Sequence, residues 1–291
     1  PHRHRDARTP CRRQGRQAAQ PKAPQLRRAA VPVTPMPDQK VSIEEGYKAY
    51  LDAVLTAHST SLEVMQKVSE VRDETADIFF VALLASLIEY TNTALLMANK
   101  QTAAGDDSVF RSFLEGYVDL KNLADDEKYL RVLMLDYHCE WLRLFKHADG
   151  ANPYLESIAA HESAADSKKW HEQQVTWLKK KKVPRLKIAD KFKRADMQHE
   201  YKSIYNFSSG EAHNNFRALI RRNLDRDENG WTVRVNFWNE SRCLPRFDSY
   251  AGLLISALDK TNQRFKLSAE KTIEAAQAQL DAARKLDIEE N

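Results

Sequence analysis

From residue 38 onward the chain is seldom interrupted. Three prolines (Pro153, Pro184, Pro245) and seven glycines are the only strong breakers in that stretch. Sheets need frequent turns, and tight turns draw on Gly and Pro. A long body poor in both and rich in Ala, Leu, Glu, Lys and Gln is therefore predicted to be helical.

Apolar spacing places the helices. Ser42, followed by Glu44 and Glu45, opens a helical stretch to about Lys100, with a break predicted near Ser59–Thr60. Residues 74–100 are apolar nearly all round, the pattern of a central buried helix in which Glu89 and Asn92 need partners. After the loop 101–107, Asp107 or Ser108 caps a helix over 108–123. "ADDE" then precedes a helix over about 127–148, closed by Gly150–Pro153. Polar helices follow at 153–162 and 163–182, then a basic connector with a short helix, then a strong helix over Met197–Leu224.

Asn229-Gly230 and the alternation of Trp231, Val233, Val235 and Phe237 predict a β-hairpin at about 230–239. Pro245 opens a last helix toward Leu286. Its thinning apolar residues predict that the final 20 residues project or pack on a second copy, as in a homodimer. The expected class is all-α: a multi-helix bundle with a small β-hairpin insert and a long C-terminal helix. It forms one domain over 42–287, with a basic leader at 1–41 and a tail at 288–291.

The net charge of +4 is unevenly placed. The first 35 residues hold nine Lys/Arg and one acid, Asp6, so the remainder carries −4. Global charge therefore gives no argument for nucleic-acid binding. The leader has no apolar period and is expected to be disordered, with Met36 as the expected true start. Cys11, Cys139 and Cys243 are widely spaced, which suits a reducing compartment, the cytoplasm, better than a disulfide framework. The longest apolar run, "IFFVALLA" at 78–85, falls short of the roughly 18–20 residues a bilayer span needs, so no membrane partner is predicted.

Two helices carry polar stripes at four-residue spacing, which stacks side chains on one face. Arg111, Glu115 and Asp119 do so on "SVFRSFLEGYVDLKNL", and Tyr205, Ser209 and His213 on "YKSIYNFSSGEAHNNF". Neighbouring Phe110, Phe113, Leu114, Ile204 and Phe207 put both stripes at the border of the core.

These segments, with "YLRVLMLDYHCEWL" between them, resemble the bacterial domain of unknown function 5677 family over roughly residues 75–225. That family pairs an Arg-x-x-x-Glu helix with a later Tyr…Ser-x-x-x-His helix. The resemblance implies an all-helical fold, and a site at Arg111, Glu115, Ser209 and His213 with Tyr205 beside it. It implies no reaction, because the family has no assigned activity.

Read as chemistry, His213 suits general acid/base work with Ser209 or Tyr205 as its hydrogen-bond partner, and Arg111 suits a developing phosphate charge. RNA cleavage without a metal needs no more than that. HEPN-type ribonucleases, helical bundles with an Arg-x(4–6)-His pair, share that spacing with Arg194–His199, "RADMQH". This leads to an expected RNA-cleaving effector of the toxin or phage-defence class, with RNA or a nucleotide as partner. Lys180, Lys182, Arg185 and Arg194 would track the phosphate backbone. The alternative is a non-catalytic interaction or small-ligand module whose polar residues only satisfy one another. No Walker loop, GxGxxG, GxSxG or HExxH is present, and His138, Glu140, His147, His161 and His171 lack ligand spacing, so neither cofactor nor metal is predicted.

Overall fold

The structure, a computed structural model, describes residues 40–68, 75–148, 152–213, 215–228, 230–235 and 238–289. Residues 1–39 of the leader, Gly150, Asn229 and Phe237 lie outside the described residues, as do the expectations that rest on them, while Lys40–Val41, placed in the leader, form a strand.

After strand β1 (Lys40–Val41), Ser42 and Glu45 cap each other. The Ser42 hydroxyl accepts from the Glu45 amide at 3.2 Å and the Glu45 carboxylate accepts from the Ser42 amide at 2.9 Å. They open α1 (Ile43–Val68), which runs unbroken through Ser59–Thr60, against the predicted break. Ser61 Oγ donates to the His58 carbonyl at 2.6 Å, so the helix absorbs its own polar side chain.

α2 (Thr75–Asn99) corrects a second expectation. It buries only one face, through Phe80, Leu84, Leu87, Ile88 and Ala94, and leaves Ile78, Phe79 and Leu96 exposed. Glu89 and Asn92 lie on the exposed side and need no partners. Among the described residues α2 is the one helix long and apolar enough to cross a membrane. The eight-residue run missed this, because isolated polar residues interrupt a run without much lowering mean hydropathy.

α3 (Asp106–Asp125) starts at Gly105, whose φ of 89° suits a residue without Cβ. A 3₁₀ turn over Glu127–Tyr129 leads into α4 (Leu130–Ala148). The short α5 (Glu156–Ala159) and then α6 (Ala164–Lys180) follow, and α6 packs on α4 over a small second core of Leu135, Val175 and Leu178. α7 (Ile188–Arg194) returns to α3.

The single helix predicted over Met197–Leu224 is several pieces. They are α8 (Gln198–Glu200), a π-helical turn over Tyr201–Tyr205, α9 (Asn206–Ala212) and α10 (Phe216–Asn223). α10 packs back on α9. Asn215 caps α10 by accepting from the Ala218 amide at 2.9 Å, and a Cβ on Gly210 would lie 2.7 Å from Asn215 Nδ2.

The hairpin sits earlier than predicted. β2 (Leu224–Asp227) pairs antiparallel with β3 (Gly230–Val233), with Leu224 opposite Val233. Its first strand takes Leu224 from the end of the predicted helix and runs through Asp225–Asp227, ahead of the predicted 230–239. Asn239 caps α11 (Glu240–Phe265), which leaves Pro245 inside the helix and not at its start.

The predicted final helix breaks at Lys266 and Ser268, both at positive φ. α12 (Glu270–Arg284) folds back on α1 and α11 and buries Ile273, Ala276, Leu280 and Ala283. β4 (Asp287–Ile288) then pairs in parallel with β1. The C-terminal segment therefore does not project, which removes the ground on which a homodimer was expected. The class is all-α, a helical bundle with two small strand pairs. Its main core joins α1, α2, α3, α11 and α12.

Candidate functional site

α3 turns one apolar face inward through Phe110, Phe113, Leu114, Tyr117 and Val118. That leaves Arg111 and Glu115 one turn apart at the margin, with 29% and 38% of their side chains exposed. Opposite them, the Tyr205 ring is stacked on Tyr201 and tilted against Phe192, with centroids 5.4 Å and 4.9 Å away. Tyr205 is 3% exposed. The π turn thus delivers a buried phenol to the α3 margin from 90 residues away in sequence.

The polar atoms form a connected set. Tyr205 OH donates to Glu115 Oε1 at 2.7 Å. Arg111 Nε donates to the same Glu115 oxygen at 2.9 Å and lies 3.3 Å from Tyr205 OH. Its Cζ sits 5.5 Å from the Tyr205 ring centroid. On the exposed side, Arg111 Nη1 stands 3.1 Å from His213 Nε2. Arginine can only donate, so this contact requires an unprotonated Nε2, which puts the ring proton on Nδ1.

Burial, and then the bond to Glu115 and its charge, push the Tyr205 phenol up to about 12. Tyr205 is therefore a proton-bearing donor at physiological pH. Burial works against the Arg111 charge, but its bonds to Glu115 and Tyr205 outweigh burial and raise its pKa above the usual arginine value. Arg111 is a fixed cation whose outer nitrogens face His213 and solvent.

His213 ends α9, and a second charged group holds that end. Glu211 is 0% exposed and receives two bonds from Arg221, at 3.0 and 3.1 Å, while Arg217 approaches it at 3.3 Å. Arg221 also reaches Asp107 at 3.3 Å, and Arg246 binds both Asp106 and Asp107. This network ties α9, α10 and α11 to the first turn of α3. Sequence reasoning missed it, because the pairs to Asp106 and Asp107 span more than a hundred residues and those to Glu211 join two separate helices, so neither leaves a local period. The acidic opening of α3 was the one visible signal.

Of the predicted site residues, the structure joins Arg111, Glu115, Tyr205 and His213. The His213 partner is Arg111, where Ser209 or Tyr205 was expected. Ser209 is half-buried and bonded to none of the four. Asp119 leaves the stripe: Tyr129 OH donates to it at 2.5 Å and Lys191 lies 3.3 Å away.

The basic residues lie apart from this group. Lys180 and Lys182 are exposed at the end of α6, Arg185 stands 3.9 Å from Asp136, and Arg194 binds Asp126 at 2.6 Å. Arg194 makes no contact with His199 among the described residues, so the HEPN-type spacing brings no pair together. His138 and His171, which sequence spacing kept apart, meet with Nδ1 atoms 2.9 Å apart inside a ring of Tyr137, Trp141, Phe145 and Trp170. Burial, followed by the charge of Asp106, pushes the Cys243 thiol up to about 12, which rules it out as a thiolate nucleophile. Among the described residues no group of three or more His, Cys, Asp or Glu could hold a metal ion.

Comparison with known proteins gives one match. The profile of a family described as "Family of unknown function (DUF5677)" covers residues 77–230, which includes all four joined residues. No curated protein and no solved structure matches the chain.

Proposed function

The chain belongs to that family of unknown function, and from this premise we propose that it cleaves RNA at the Arg111–His213 pair, as a cytoplasmic effector of the toxin or phage-defence class. The observation that carries the reading is the 3.1 Å contact between Arg111 Nη1 and His213 Nε2 on the exposed side of a buried clamp.

A phosphodiester entering between the two groups takes the guanidinium N–H bonds and frees Nε2. Nε2 removes the proton of the adjacent ribose 2′-hydroxyl, and the 2′-oxygen attacks phosphorus. The bond to the 5′-oxygen breaks, and that oxygen takes a proton from water. The products are a 2′,3′-cyclic phosphate and a 5′-hydroxyl, and His213 returns its proton to solvent. Arg111 stabilises the added charge on the phosphorane oxygens. Glu115 and Tyr205 act as positioning residues, because they fix Nε and so aim the outer nitrogens of Arg111.

One observation favours the second reading, a non-catalytic interaction module. Tyr205 is almost wholly buried and its hydroxyl is already bonded to Glu115, as a structural seam requires. Expression of wild type beside His213→Ala in a bacterial host separates the two. Growth arrest and RNA loss with wild type, relieved in the variant at equal protein level, support cleavage. Equal growth with a lowered Tm in the variant supports the seam.

A further inference from the structure

Beside α9 lies a cavity of about 450 Å³, bounded by α3, the π turn, α10 and the first half of α11. We propose that it binds a small organic phosphate monoester with an apolar ring system, of which a nucleoside 5′-monophosphate is the fitting probe. The pocket uses residues that do not touch the Arg111 group, so the inference is independent of the reading above.

Three arginines, Arg221, Arg242 and Arg246, line the cavity, while the carboxylates that hold Arg221 and Arg246 (Glu211, Asp106 and Asp107) are not among its lining residues. Two of them are held in place. Arg221 is bonded to Glu211 and stacked on Phe207 at 4.7 Å, and Arg246 is bonded to Asp106 and Asp107 and lies over Phe110 at 5.1 Å. Arg242 donates to the Arg221 carbonyl at 2.7 Å. Burial and then the nearby charge of Arg221 draw its pKa below the usual arginine value. Planar guanidinium forks match phosphate oxygens.

A second observation comes from Ser208. It is 2% exposed, lines the cavity, and its hydroxyl has no hydrogen-bond partner among the described residues. A cavity-lining hydroxyl without a protein partner is a position a ligand oxygen would satisfy. Phe110, Ile204, Phe207 and Pro245 form the apolar part of the lining, and the volume lies in the range of small-ligand sites. Inorganic phosphate alone would leave this wall unused, and a nucleoside alone would leave the cations unused.

The test is calorimetric titration of the full chain with nucleoside 5′-monophosphates, the matching nucleosides and inorganic phosphate. Variants Arg242→Ala, Ser249→Phe (which fills the cavity from α11) and His213→Ala are measured alongside, with Tm recorded for each. At least one monophosphate should bind at one site, with its nucleoside and inorganic phosphate each at least about tenfold weaker. Arg242→Ala and Ser249→Phe should weaken that binding by about tenfold or more at unchanged Tm, and His213→Ala should leave it intact. The proposal is overturned by absence of saturable binding for every probe, or by inorganic phosphate binding as tightly as the nucleotides. Binding that survives both pocket variants, or that only His213→Ala removes, overturns it too. If Arg242→Ala lowers Tm, Ser249→Phe decides, since among the described residues the Ser249 side chain makes only the local bond to the Pro245 carbonyl.

Discussion

The Arg111 clamp rests on a few oxygen and nitrogen atoms, and each has a separable role. Tyr205→Phe keeps the ring stacked on Tyr201 and Phe192 but deletes the donor to Glu115. A hydrogen bond to a charged acceptor contributes about 1.5–3 kcal/mol, so denaturant unfolding should show a loss of that order with little change in m. The Arg111–Glu115 ion pair is itself about a third exposed and contributes only a few tenths of a kcal/mol, so Glu115→Gln should be mild in stability. The histidine pair gives a pH test. Burial holds both His138 and His171 below the usual histidine pKa, and the charge of His171 adds to this at His138. The unfolded chain then binds protons first as pH falls below about 6.5, so the stability of the α4–α6 unit is full above that pH and is lost toward the lower folded pKa values. Unfolding midpoints between pH 7.5 and 5 should drop in wild type and fall less steeply in the double variant His138→Leu/His171→Leu. An equal slope in both would refute this assignment.

At the level of elements, the attachment of α9, α10 and α11 to the start of α3 depends on buried charge. Arg246→Met leaves Asp106 and Asp107 facing each other without their shared cation. Removing one partner of a buried pair costs about 3–5 kcal/mol, and urea titration should show a loss in that range. This is also where sequence reading stopped. Arg111–Glu115 and Tyr205–His213 were legible because four-residue spacing on an apolar helix is a local signal. The π turn and the packing of α10 on α9 were not, because they rest on contacts between separate segments, such as the Tyr205 bond to Glu115 and Arg221 reaching the buried Glu211. The same limit moved the hairpin: the apolar alternation points to the residues after Gly230, and only the pairing shows that Leu224–Asp227 is the partner strand. Ser209 fits the stripe by spacing, yet only contacts could show that His213 turns to Arg111.

For the whole molecule, the bundle closes through its C-terminus. α12 covers α1 and α11, and the parallel pairing of β1 with β4 ties the two ends of the described chain together. Leu280 is fully buried in that contact. Leu280→Ala should cost about 2–5 kcal/mol in a single cooperative transition, whereas a loosely docked α12 would show a separate early one. The central claim concerns what the closed bundle presents at Arg111 and His213, and it is tested most directly with purified protein and an RNA oligonucleotide in EDTA. The account predicts fragments ending in 2′,3′-cyclic phosphate, lost when the nucleotide 5′ to the scissile phosphate is 2′-deoxy, and reduced about a hundredfold or more by His213→Ala. RNA left intact by wild type, or cut equally by wild type and His213→Ala, would contradict it.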